Sequence, residues 1–585
     1  MKKAIINYVK QYFKYYFLII VVAIIISSGL LIGIPAGHDL APHMARVVGM
    51  SQEIAEGQIP PLVVSNYANG FGYAWNLFYP PMAPYIAFII QCLGFTYLHA
   101  FQIVIILSII TSGIAMFKLL EEITGNKNVG LLAAMIYMCA PYFLADIYTR
   151  MALGEILAYA FLPILFIGIY NLFEKTGNKH FCITIGAVGI LLSHNISALF
   201  AVLLSVIYVI FNITKFNKFI FKKIWINVGF IILITLFFYA PLLQAQSSTN
   251  YQAFEEGHMG STESLKGHTV YFYQLLFGEM KDGISAMSTD PNVNLEEDMS
   301  FQIGLFIIVP IMFTPFIFKT ISKKNRKNYL LATILGILLI IPTTTIFPYE
   351  KMPEAIAIIQ FPWRLLFPVT FLWTIIATIN IYKACKTIDI KEIMVMTTLI
   401  LIYVYPLICS NPVSYVTVEE FQEIDHIREE AKSSVACSGL EYLPHKAFEN
   451  IDYVRNRSQE AICIEGDIHI AEQNKNGSTM MIKYQKLSEK ATVELPYMYY
   501  PGYEIKVNDE KIEYTESENG FVQIEISGQE TGTINVKYTG TLLARSSFAT
   551  SLIAFIVFII YIMIYMFMTK KNVEKQNQKL IEEKR

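Results

Sequence analysis

Twelve apolar runs recur along this chain, at 16–34, 101–117, 129–144, 156–172, 181–192, 196–211, 224–243, 301–318, 329–346, 365–381, 393–408 and 548–568. A helix needs roughly 17–25 apolar residues to cross a bilayer, because backbone N–H and C=O groups find no water there and must pair within the segment. Several runs are near or below that limit. Their number nevertheless leaves one architecture, a polytopic α-helical membrane protein with about twelve transmembrane helices. A thirteenth stretch, 82–93, is short and proline-led, and is expected to lie flat in the interface. Only 16% of the 585 residues are charged, against roughly 25% in soluble domains, which excludes a water-soluble fold. The formal net charge is -2 and the basic residues are spread between apolar runs, so no nucleic-acid partner is expected.

Short cytoplasmic loops are enriched in Lys and Arg. With twelve spans, Lys2, Lys3, Lys10 and Lys14, the loops around Lys118/Lys127, Lys175/Lys179, Lys215–Lys223, Lys319–Lys327 and Lys383–Lys391, and the tail from Lys570 to Arg585 all fall on one side. Counting 82–93 as a span would invert the downstream loops and break that agreement. The expectation is a multi-pass plasma-membrane protein with both termini cytoplasmic. The first run is too long for a signal-peptide core and no small-residue cleavage site follows it. Residues 1–410 form a helical domain of eleven spans with large outer loops at 35–81 and 244–300; 411–545 form an extracytoplasmic domain; 546–569 form the last span; and 570–585 form a basic cytoplasmic tail.

Within 411–545 the pattern changes to period-two alternation, as in Tyr503, Ile505, Val507 and in Val522, Ile524, Ile526, with turn signals at Asn508-Asp509 and Asn519-Gly520. A small, mainly β sandwich leading into the last span is expected. Tyr497, Tyr499, Tyr500 and Tyr503 read as a core aromatic cluster rather than a sugar platform. Cys437 and Cys463 share this domain and are the one candidate disulfide.

The polar residues that suit chemistry gather on the outer loops. The first loop carries His38, Asp39, His43 and Arg46; another carries Asp146, Arg150 and Glu155; His194 and Asn195 join two runs; and Trp363 and Arg364 open the tenth. Arginine and tryptophan at such depths also serve as interface anchors, but ionisable groups near membrane depth are costly and point to function. His38 and His43 beside Asp39 are candidate metal ligands, without an HExxH pattern to support them. Nucleotide-binding loops, dinucleotide fingerprints, GxSxG and CxxC are all absent, which argues against ATP-driven transport, redox and serine-hydrolase chemistry.

The segments GHDLAPHMAR, NGFGYAWNLFYPP, DIYTRMALGE, LLSHN and IQFPWRLL together resemble the bacterial membrane family labelled 6-pyruvoyl-tetrahydropterin synthase-related, which is related to YfhO-like proteins and to the GT-C superfamily of glycosyltransferases. YMYYPGYEIKVNDEKIEYTESENGFVQIEI is similar to the β-domain that closes YfhO-like proteins. The pterin label is not matched by chemistry, since no soluble domain carries a histidine cluster. The resemblance implies a GT-C architecture, a polyprenyl-phosphate sugar donor at the outer leaflet, and an acidic catalytic residue on the first outer loop, a position that Asp39 occupies. By the family pattern His38, His43 and Arg46 accompany Asp39, and Asp146, Arg150 and Glu155 match the second motif. One departure is that a single acid stands where many such enzymes have a pair. The roles that follow are Asp39 as general base, or with His43 as ligand of a divalent cation (Mg or Mn), and Arg150 or Arg364 on the phosphate. The remaining residues would line the substrate site, and the acceptor would be an envelope polymer or protein. The alternative is a non-catalytic flippase or assembly factor for lipid-linked glycans.

Overall fold

The computed structural model describes residues 2–255, 260–288, 290, 292, 294–409, 413–414 and 417–582. The boundary expected at 410–411 and the side chains of Lys2, Lys3 and the basic tail from Lys570 lie outside the described residues. In chain order the helices that matter here are α1 (Lys2–Ile26), α2 (Leu40–Ala55), α3 (Met82–Gln91), α4 (Tyr97–Thr124), α5 (Lys127–Met138), α6 (Pro141–Ala145), α7 (Leu153–Glu174), α8 (Cys182–Leu191), α9 (Asn195–Phe211), α10 (Lys218–Ser248), α11 (Lys323–Ile340), α12 (Leu366–Cys385), α13 (Ile390–Cys409) and α14 (Leu542–Glu582).

Among the described residues, seven helices are long and apolar enough to cross a membrane, or eight if α5 and the segment after it, which meet at 45°, make one broken span. The twelve expected spans are thus not all matched by long apolar helices among the described residues. The run 181–192 yields a ten-residue helix, about 15 Å long against a hydrocarbon core of about 30 Å. The run 301–318 is broken into Leu305–Met312 and Thr314–Ile317, with Pro310 and Pro315 interrupting the hydrogen-bond ladder. Pro141 restricts the residue before it and ends the run 129–144 early. Residues 82–93 do form one short helix, α3, packed on α2 and α4.

Short α8 is held tightly against α7. A Cβ built at Gly186 would lie 2.3 Å from the backbone nitrogen of Leu165, and one at Gly168 would lie 2.5 Å from that of Ile183. Small residues that let helix backbones touch are a main means of packing in lipid.

The basic loops meet at one end of the helices. Tyr12 donates to Glu121 at 2.6 Å, and Asn128 donates to the Ile388 carbonyl at 2.8 Å. Lys179 pairs with Glu122, and Lys215 with Glu174, which also accepts from Asn328 at 2.8 Å. One polar layer thus ties together loops far apart in sequence, as the one-sided sorting of Lys and Arg anticipates.

The C-terminal region holds nine strands: β1 (Ile462–Glu465), β2 (Ile468–Asn476), β3 (Thr479–Lys486), β4 (Lys490–Met498), β5 (Tyr503–Val507), β6 (Glu510–Ile512), β7 (Thr515–Glu516), β8 (Phe521–Ser527) and β9 (Thr531–Tyr538). They make a four-stranded sheet in the order β1-β4-β8-β7 and a five-stranded sheet in the order β2-β3-β9-β5-β6, antiparallel throughout. Their alternately buried residues, among them Val493, Ile524, Ile482 and Val536, join one apolar cluster with the helices. Tyr497, Tyr500 and Tyr503 are buried in it. The candidate disulfide does not form: Cys437 is buried with its thiol toward Asp425 at 3.4 Å, and Cys463 is separate and partly exposed.

Candidate functional site

Asp39 sits at the N-cap of α2 without using its side chain to cap the helix. His43 and Arg46 follow at i+4 and i+7, so the three share one face of α2. Asp39 is half-exposed, and the other two are buried. The first loop folds back so that Tyr79 meets this face, its ring edge-on to His43 with centroids 5.8 Å apart. The Arg46 guanidinium lies 4.2 Å over the same ring and donates to the Pro80 carbonyl at 2.7 Å. Burial lowers the Arg46 pKa to about 10, and it stays charged at neutral pH. For His43, burial first, and then the positive charge of Arg46 and the other basic groups of the site, hold the imidazole well below its usual pKa. It is neutral, and its Nδ1 is buried without a partner.

A second segment is locked to the first through backbone. The amides of His38 and Asp39 donate to the carbonyls of Thr149 and Arg150 at 3.0 and 2.8 Å. Those carbonyls belong to a single wide turn of π type, Asp146–Arg150, which Met151 ends with a left-handed φ of 53°. Such turns recur at functional sites. Close approach requires Gly37, because a Cβ there would lie 2.5 Å from that of Met151.

The turn delivers Arg150 between two carboxylates. It pairs with Asp146 and, at 2.9 Å, with Glu155, while Tyr142 donates to Glu155 at 2.9 Å. The Arg150 guanidinium also lies 4.5 Å over the ring of Trp363. Its neighbour Arg364 is spent differently, donating to the neutral oxygens of Gln360 at 2.5 Å and Ile359 at 3.4 Å. His194 closes the last side. It caps α9 by accepting from the Ser197 amide at 3.3 Å, and Gly154 at the start of α7 packs against the turn that carries it.

The site therefore draws on the first loop, the α6–α7 turn, the α8–α9 turn and the start of α12. Three acids (Asp39, Asp146, Glu155) face three arginines (Arg46, Arg150, Arg364), most of them buried. Five buried polar atoms here have no partner: Nε of Arg46 and Arg364, Nδ1 of His43, Oδ2 of Asp146 and Nε1 of Trp363. Buried polar groups are nearly always satisfied, so these atoms are free to meet a polar ligand.

Two of the expected residues are not brought in. His38 is exposed and its Nε2 lies 2.9 Å from the Gly283 carbonyl on the second large loop, and Asn195 is exposed on α9. Tyr79, Tyr142 and Trp75 were not anticipated, although Tyr79 and Trp75 lie within the NGFGYAWNLFYPP segment. The Trp75 Nε1 donates to the Ala436 carbonyl at 2.9 Å, and its ring meets Tyr442 at 5.4 Å, so the start of the C-terminal domain roofs the site. No group of three or more His, Cys, Asp or Glu side chains suited to a metal occurs among the described residues. Asp39 and His43 do not complete a donor set.

Fold and site together define a membrane protein with a largely buried, charge-balanced cluster at the end of its helices opposite the basic loops. No family model matches the chain. An uncharacterised protein of Lactococcus lactis subsp. cremoris (strain MG1363) is 26% identical over 326 residues, which cover 54% of this chain and 51% of that protein. The chain thus matches about half the length of that relative. Among solved structures it is similar to the single-particle cryo-EM structure of arabinofuranosyltransferase AftD from mycobacteria, with a TM-score of 0.40 and 12% identity over 68% of this chain and 26% of that one. A mutant form of the same enzyme gives a TM-score of 0.42 over 28% of its length. At those scores the functional reading rests on the chemistry of the cluster itself.

Proposed function

We propose that the chain is a membrane glycosyltransferase of the GT-C type, acting at the plasma membrane with both termini cytoplasmic. It would transfer a sugar from a polyprenyl-phosphate-linked donor to an envelope polymer or protein on the face that carries the β-sheets. The observation that supports this reading most is the half-exposed carboxylate of Asp39 at the edge of a cluster that holds two arginines, Arg46 and Arg364, bonded only to neutral oxygens among the described residues. A guanidinium without a carboxylate partner is suited to a phosphate.

In the proposed reaction Asp39 accepts the proton of the acceptor hydroxyl as its oxygen bonds to the anomeric carbon. The bond from that carbon to the phosphate oxygen breaks with its electron pair staying on oxygen, and polyprenyl phosphate leaves. Arg364 holds the developing charge, a larger role for it than for Arg150, whose charge is already matched twice. Trp363 and Tyr79 position the sugar, and His43, being neutral, hydrogen-bonds without adding charge. No step is routed through a metal ion.

General base action contributes about 10²–10⁴-fold in rate. Asp39→Asn is therefore expected to lower transfer from a labelled polyprenyl-phosphate sugar by about that factor, with membrane insertion unchanged. A variant with full activity would overturn the assignment. A purified protein that binds the donor and never releases its sugar would instead be the flippase or assembly factor.

A further inference from the structure

At the opposite end of the helices, a cavity of about 230 Å³ opens between α4, α7, α9, α11 and α12. Its wall is apolar, with Ala332, Leu335, Leu372 and Ile376 contributed by two candidate spans, and its rim is polar, with Asn325 and Lys383. We propose that it takes one acyl chain of an anionic glycerophospholipid from the leaflet at the basic end, with the phosphate held at the rim by Lys383.

Three observations carry this. An apolar cavity of roughly 150 Å³ already stays dry and accepts an apolar guest, so water is a poor occupant here. The guest has a lateral supply, because α11 exposes Ile334, Ile337 and Leu338 along the length that walls the cavity, a face suited only to lipid. The rim selects charge. Lys383 is exposed and has no salt bridge among the described residues, and nearby Lys324 and Lys327 donate only to the backbone carbonyls of Glu174 and Phe211. Basic clusters between helices at the cytoplasmic end attract anionic headgroups. Neutral or zwitterionic lipid would fill the cavity equally well but would leave that charge unanswered.

This site lies across the membrane from the charged cluster, so its test is independent of the transferase reading. The full chain is reconstituted in vesicles of equal phosphatidylglycerol and phosphatidylcholine with identical acyl chains, extracted in mild detergent, and its retained lipid measured by mass spectrometry. The native protein is expected to retain phosphatidylglycerol about tenfold over phosphatidylcholine. Lys383→Glu, a change at an exposed position, is expected to bring that ratio within twofold of one. Ala332→Phe, which fills the cavity, is expected to remove most of the retained lipid of both kinds. Equal retention of the two lipids by the native protein would overturn the proposal. So would unchanged selectivity in Lys383→Glu, which decides the matter even where Ala332→Phe fails to fold.

Discussion

Arg150 lies between Asp146 and Glu155 where water does not reach, and its worth follows from what its removal would leave behind. Breaking a buried ion pair strands the partner charge at a cost of about 3–5 kcal/mol, and here two carboxylates would be stranded. Arg150→Met is therefore expected to lower the unfolding temperature in detergent sharply and to reduce folded yield, while Arg150→Lys keeps the charge, loses the planar contact with Trp363 and falls between. An unchanged unfolding temperature in Arg150→Met would contradict the buried cluster. Glu53 makes a different prediction. It is buried on the first loop, accepting from the Ser65 amide, the Ser65 hydroxyl and Gln58, each at 2.6 Å, and burial, only partly offset by those bonds, raises its pKa from 4.5 to about 7. The folded value is the higher one, so the stability this group contributes is fully present below about pH 4.5 and lost as pH rises through about 7. Protection factors of the first-loop amides, with the intrinsic pH dependence of exchange divided out, should be larger at pH 5 than at pH 8, and Glu53→Leu should remove that difference. Much of the site was legible from sequence because Asp39, His43 and Arg46 are ionisable groups gathered within a few residues at the end of an apolar run, where such groups are costly. His38 is adjacent in sequence but points off the face those three share, and Tyr79 enters through a loop reversal that no periodicity announces.

At the scale of elements, a run of apolar residues sets where a helix prefers lipid but not where it bends or how closely it packs. The gap between twelve apolar runs and the seven or eight long apolar helices among the described residues follows from this. Prolines cut two runs and a ten-residue helix replaced a third, and two of these departures serve the site: the bend after α5 places the Asp146–Arg150 turn, and short α8 brings His194 to it. Glycines fix α8 in place. At Gly186 a side chain would meet backbone at 2.3 Å, whereas at Gly229 on α10 nothing lies within 4 Å. Gly186→Ala should therefore force α7 and α8 apart and cost about 1–3 kcal/mol, in the range of overpacked cores, and through the displaced His194 it should also impair the site. Gly229→Ala should be neutral or slightly stabilising, since alanine is the better helix former. Thermal unfolding of the two variants side by side checks this, and equal behaviour would show that the α7–α8 contact is looser than described.

For the molecule as a whole, the decisive matter is how the C-terminal sheets are joined to the first loop, because that seam puts charged cluster and sheets on one side. Phe71 meets Phe521 with ring centroids 5.1 Å apart, the Met498 amide donates to the Phe71 carbonyl at 2.9 Å, and half-buried Lys475 donates to the Gly70 carbonyl at 2.6 Å. The alternation of strand residues announced the sheets, but nothing in it announced their partner, since these contacts join residues some 400 positions apart. The cysteines test the resulting sidedness, and burial changes which of them is informative. Cys437 lies in the C-terminal domain but is fully buried, so it should resist an impermeant maleimide until the protein is unfolded. Cys463, partly exposed on β1, should react from outside in a variant that keeps it as the sole cysteine. Cys385, exposed at the end of α12 beside the basic loops, should react only after the cells are opened. Labelling of Cys385 on intact cells, with Cys463 protected, would invert the molecule, carry the charged cluster to the cytoplasmic face, and replace an outer-leaflet donor with one presented from inside.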